Sequence, residues 1–164
     1  MRIRGSSEPI EVHPPGASDE TVLVYLPGSL GEVVIALPLV HLVARRYPTA
    51  RRILVTNAPI DARGVPVEDV LRPTGLLHSV QRLPLGFRAP RTLVDSARAL
   101  RALHPDVLVY LAPPRNLAVT LRNAAFFRAG GVRHIVGLPL RSDLRSWQFR
   151  PERGRWESET DFLF

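Results

Sequence analysis

The sequence predicts a doubly wound α/β domain with a mostly parallel sheet. Three observations carry this. Short β-prone runs alternate with helical segments along most of the chain. The first run, residues 21–26, is continuously β-prone, as strands buried on both faces are. Glycine or proline punctuates the junctions, so each segment has a defined end.

The first strand is Thr21-Val22-Leu23-Val24-Tyr25-Leu26, broken by Pro27-Gly28-Ser29-Leu30-Gly31. A helix follows over residues 31–46. Its polar residues gather late (His41, Arg45, Arg46), so its first turns are expected to be buried. Pro38 removes one backbone donor and predicts a kink. The closing arginines suit the negative end of the helix dipole. Residues 52–56 form the second strand, a short helix is expected near 67–71, and 79–83 form the third strand. Residues 91–103 read as an amphipathic helix with Leu93, Val94, Ala97, Leu100 and Leu103 on one face. His104-Pro105 ends it. The fourth strand is 106–111, the last helix 116–128, stopped by Gly130-Gly131, and the fifth strand 132–138. Residues 139–155 are arginine-rich and aperiodic. Residues 156–164 read as the start of a further helix, with Phe162, Leu163 and Phe164 left to bury. Residues 1–20, rich in proline and acids, read as a disordered tail. Right-handed crossovers favour the strand order 3-2-1-4-5.

Composition bounds the chemistry. The chain has 164 residues and no cysteine, which excludes disulfides, thiolate metal sites and cysteine nucleophiles. All 22 basic residues are arginine, so a Walker lysine, a Schiff base and a lysine general base are excluded. The formal charge of +7 belongs to the second half: residues 82–155 hold 14 arginines against 4 acids. In a chain without lysine this reflects coding bias first. No apolar run reaches the ~20 residues of a membrane span, and no signal peptide is legible, so a cytoplasmic protein is expected. The histidines (13, 41, 78, 104, 134) form no H-x-x-x-H pair, so no metal is expected. Nucleic acid is not an expected partner: there is no recognition motif, and aromatics are 7%.

Ligands of such sheets bind beyond the carboxyl ends of the strands, near the switch between strands 1 and 4. The loops at 27–31 and 112–115 should therefore line the site. Neither a G-x-G-x-x-G nor a Walker loop is present. Gly28 and Gly31 suit either a tight strand-to-helix turn or a close approach to a ligand. Glu32 is the one acidic or basic side chain between Glu20 and His41. It suits charge compensation in a first helical turn, or a general base at the ligand edge.

The stretch Val22 to Leu39, with Leu30-Gly31-Glu32 at its turn and a Leu37-Pro38 step, followed by Ala44-Arg45-Arg46-Tyr47-Pro48, resembles the opening of glycosyltransferase family 9. These are the ADP-heptose:lipopolysaccharide heptosyltransferases. Arg98 to Leu111, Arg133-His134-Ile135-Val136-Gly137-Leu138 and Trp156-Glu157-Ser158-Glu159 resemble later family segments in the right order. The resemblance runs from Thr21 to the end, the family's N-terminal half. It implies a Rossmann-like, acceptor-side domain over 21–150, the N-terminal half of a GT-B fold. Residues 151–164 would begin a crossing helix toward a C-terminal domain that holds most of the nucleotide-sugar site. The chain alone would then not complete the active site.

The resemblance also implies roles. Glu32 falls on the family's catalytic aspartate, as general base for an inverting transfer. Ser29, Leu30 and Gly31 would lie near the donor's phosphates, and Arg115 and Arg141 are candidates for anion contacts. The donor would be a nucleotide sugar such as ADP-heptose, with no further cofactor. The acceptor would be a lipopolysaccharide-like, lipid-linked glycan, met at the inner face of the plasma membrane with arginines near its anionic lipids. Three departures stand out. Glu replaces Asp, and misplacing a base by ~1 Å can cost ~100-fold. Tyr110-Leu111-Ala112-Pro113-Pro114 replaces a polar strand end, and Trp156 replaces a histidine. The alternative reading is a non-catalytic α/β module, a degenerate transferase half that binds an anionic ligand or partner.

Overall fold

A computed structural model of the chain describes residues 20–27, 30–57, 71–84, 90–112, 116–140, 149–150 and 155–156. The elements are β1 (Thr21–Tyr25), α1 (Leu30–Arg46), β2 (Arg51–Asn57), a 3-10 turn (Arg72–Thr74), β3 (Ser79–Leu83), α2 (Pro90–Arg101), β4 (Val107–Tyr110), α3 (Leu117–Ala129), β5 (His134–Val136), β6 (Phe149–Arg150) and β7 (Arg155–Trp156). The first five strands form one sheet in the order β3-β2-β1-β4-β5, as the crossover rule requires. Every pair in it is parallel, with Leu23 opposite Ile53 and Leu108, and Leu54 opposite Val80.

Two cores follow from the alternation of side chains along the strands. On one face Val22, Val24, Leu54 and Val107 pack against Val33, Ala36, Val40 and Val43 of α1, with Leu71, Leu76 and Leu77. On the other, Leu23, Ile53, Val55 and Leu108 pack against Leu100 of α2 and Phe126 and Phe127 of α3. The two arms of the sheet thus send their helices to opposite faces. Each fully buried aliphatic side chain contributes roughly 1.5–3 kcal/mol.

Some expectations change. The first turns of α1 are buried on one side only: Val33 and Ala36 are inside, while Val34 is 49% exposed. The helix runs through Pro38 without ending. Val34 and Pro38 both face outward, so water can reach the Val34 carbonyl that proline leaves without a donor. On α2, Val94 is 47% exposed and Ser96 is buried in its stead. At 100° per residue, Leu93, Ser96, Ala97 and Leu100 share a narrower arc than the periodicity suggested. Trp156 lies in a strand rather than at a helix start. Phe149 and Trp156 are opposite each other in the antiparallel β6–β7 pair. Their aromatic side chains favour a strand, and Pro151 and Gly154 between them disfavour helix. The expected tail over residues 1–19, most of the helix at 67–71 and the rest of the helix at 157–164 lie outside the described residues.

The amino edge of the sheet is closed by two polar side chains. The Arg52 side chain is buried. Its Nε donates to the Leu76 carbonyl at 2.8 Å. Nη1 donates to the carbonyls of Tyr47 at 2.8 Å and Pro48 at 3.1 Å, and Nη2 reaches that of Gly75 at 3.5 Å. The cation thereby ties the exit of α1 to the entry of β3. Burial pushes its pKa below the usual arginine value. Asp106 does a similar service for β1: its Oδ2 accepts the Thr21 N–H at 3.0 Å, and its own N–H donates to the Thr21 carbonyl at 2.9 Å. Arg133 Nη1 lies 3.6 Å from the other carboxylate oxygen. Among the described residues, no helix is long and apolar enough to cross a membrane.

Candidate functional site

The carboxyl edge is built around the switch between β1 and β4. The ladder continues one residue past both strands: Leu26 N–H donates to the Val55 carbonyl at 3.0 Å, and Leu111 N–H to the Tyr25 carbonyl at 2.9 Å. β1 is thus held on both sides up to the point where its loop leaves. Leu26, Leu111 and Ala112 are buried, so the strand ends are apolar. α1 then starts on one face of the sheet and α3 on the other. A crevice between two such helix starts is where open α/β sheets take ligands.

Of the predicted site residues, Gly31 and Glu32 are placed together in the first turn of α1, Gly31 exposed and Glu32 half-buried. The positive end of the helix dipole stabilises a carboxylate there. Leu30 is the first residue of α1, which sets its backbone amide among those that no helical carbonyl satisfies. Ser29, Arg115 and Arg141 lie outside the described residues. The start of α3 is fixed by Asn116, an extended N-cap whose Oδ1 accepts the Val119 N–H at 2.9 Å.

Under α3, at the ends of β1 and β4, lies a buried polar and aromatic cluster that sequence reasoning missed. Tyr25 and Tyr110, the last residues of β1 and β4, have ring centroids 5.2 Å apart. Tyr25 also meets Phe127 edge-on at 4.8 Å. The Tyr110 hydroxyl accepts from Asn123 Nδ2 at 3.0 Å, and Asn123 Oδ1 accepts from Arg122 at 3.2 Å. This locks α3 to the end of β4 by a buried hydrogen bond. The available signal was a buried-face spacing of Thr120, Asn123 and Phe127 on a helix that otherwise reads as apolar. Gly137, just past β5, has φ +83°, and a Cβ there would sit 2.9 Å from the Tyr110 carbonyl oxygen. Only glycine fits that backbone and that approach.

No protein-family model and no curated protein matches the sequence. Among solved structures, the chain is similar to the crystal structure of the glycosyl transferase family 9 from Veillonella parvula DSM 2008, with a TM-score of 0.52 and 15% identity. The match covers 71% of this chain and 31% of that one, so the chain spans about a third of its neighbour's length. At this identity the likeness is one of fold: the chain has the Rossmann-like α/β architecture of part of a glycosyl transferase family 9 structure.

Proposed function

We propose that this chain is the N-terminal, acceptor-side domain of a glycosyltransferase that uses a nucleotide sugar, with Glu32 as its general base. The observation that carries the reading is the position of Glu32. It is a half-buried carboxylate in the first turn of α1, at the switch point of a fold shared with a glycosyl transferase structure. The Glu32 carboxylate takes the proton of the acceptor hydroxyl as that oxygen attacks the anomeric carbon. The bond from that carbon to the nucleotide's phosphate oxygen breaks with its electron pair, and configuration inverts. Ser29, Leu30 and Gly31 lie near the donor phosphates, and Arg115 and Arg141 contact anionic groups of donor or acceptor. The donor is of the ADP-heptose class and the acceptor a lipopolysaccharide-like glycan, met at the cytoplasmic face of the membrane. A second domain supplies most of the nucleotide site.

The test is transfer by the full-length protein, from a panel of nucleotide sugars, with Glu32→Gln and Glu32→Asp alongside. Glu32→Gln is expected to lose ~100-fold or more in kcat, and Glu32→Asp to keep part of it. Unchanged transfer by Glu32→Gln refutes the assigned base. No transfer or nucleotide-sugar binding by the wild-type protein favours a non-catalytic module instead.

A further inference from the structure

His78 sits at the amino edge, immediately before β3, with its backbone and ring both engaged by Arg52. Its N–H donates to the Arg52 carbonyl at 2.8 Å. Its ring returns the contact: Nδ1 accepts the Arg52 backbone N–H at 2.9 Å. The ring thus stands where a further residue of a paired strand would offer a carbonyl. Arg52 is 7% exposed, so its N–H depends on an internal acceptor. Only an unprotonated Nδ1 can accept, which puts the ring's single proton on Nε2. Arg52 Nη2 lies 3.5 Å from that nitrogen, so a guanidinium cation faces the other side of the ring.

We propose that His78 and Arg52 form a proton-sensitive clasp at the amino edge of the sheet, closed while His78 is neutral and opened when its ring takes a proton. A proton on Nδ1 turns the acceptor into a second donor against the Arg52 N–H, and leaves that buried N–H without a partner. It also sets an imidazolium against the Arg52 guanidinium. Among the described residues, the charged groups that bear on the ring are Arg52 and Arg51, both on β2. Tyr47, from the exit of α1, enters through its carbonyl on Arg52. Burial first, then Arg52 and Arg51, hold the His78 pKa below its ordinary value of 6.5. The unfolded chain therefore takes up a proton that the folded chain resists. The clasp stabilises the fold fully above pH ~6.5, and its contribution falls as pH drops toward the depressed folded value. Opening releases the Arg52 backbone N–H and loosens the entry of β3, while the carbonyl contacts of the Arg52 side chain, which do not involve His78, hold the exit of α1 in place.

The test needs no substrate. In the full chain, NMR titration of the His78 ring is combined with amide exchange at Arg52 and His78 between about pH 7.5 and pH 5. His78 is expected to titrate below 6.5, and the Arg52 amide to lose protection about tenfold across the window, while Leu23 and Leu108 in the sheet centre do not. His78→Asn, whose Oδ1 replaces Nδ1 as an acceptor that does not titrate, is expected to keep Arg52 protected at both pH values. A His78 pKa at or above the ordinary value overturns the clasp. So does pH-independent protection of Arg52 in the wild type, or the same pH dependence in His78→Asn. If the asparagine variant fails to fold, the wild-type titration and exchange still decide.

Discussion

At the amino edge of the sheet, Arg52 gathers carbonyls from the exit of α1 and the entry of β3, and Asp106 closes the start of β1. At the carboxyl edge, the strands end in buried Leu26, Leu111 and Ala112, and α1 and α3 begin there on opposite faces of the sheet. At the first edge side chains tie backbone groups of different elements together; at the second, among the described residues, the Asn116 cap serves one helix turn. A site that exposes helix starts gains little hydrogen bonding of its own. Stability is therefore placed at the edge opposite the candidate chemistry.

The sharpest way to break this contrast is Arg52→Ala. It removes the buried fork and strands several carbonyls, and should cost about 3 kcal/mol in urea unfolding. Arg52→Lys should recover only a minor part, since an ammonium cannot reach carbonyls on two sides as a planar fork does. At the carboxyl edge the largest effect is expected where the backbone approaches most tightly among the described glycines. Gly137→Ala meets the Tyr110 carbonyl in a left-handed backbone and should cost about 2 kcal/mol. Asn116→Ala removes the α3 cap and should cost about 1 kcal/mol, with the loss confined by amide exchange to the first turn of α3. Glu32→Gln should change stability least, by about 0.3–1 kcal/mol, while changing transfer most. Equal costs for Arg52→Ala and Asn116→Ala would erase the division of labour between the edges.

Much of this was legible beforehand. Thr21–Tyr25 is β-prone at every position and became a strand buried throughout. Asn116 and Gly130, small or polar residues at the ends of an apolar segment, became the caps of α3. These signals are local: strand period, cap chemistry and breakers act within a few residues. What failed was whatever needed a partner from elsewhere. Arg52 opens a β-prone run with no local sign of its burial, and the carbonyls that accept it come from residues 47–50 and 75–76. Asn123 reads as a polar interruption of α3, yet Tyr110 awaits it on β4. Val94 fits the apolar arc of α2, but the neighbouring surface takes Ser96 instead. Of the carboxyl edge, the first turn of α1 was foreseen with Glu32 on it; the buried tyrosine pair at the ends of β1 and β4 was not.

The sequence by itself determined the alternation of strands and helices, the strand order that right-handed crossovers allow, and one carboxylate at the head of α1. Periodicity and chirality suffice for these, because each is set by residues near in the chain. Only the tertiary structure decided that an arginine would be the buried anchor of one edge and that two tyrosines would be buried together at the other. Whether a polar group can be buried depends on the partners the rest of the fold brings within hydrogen-bonding distance.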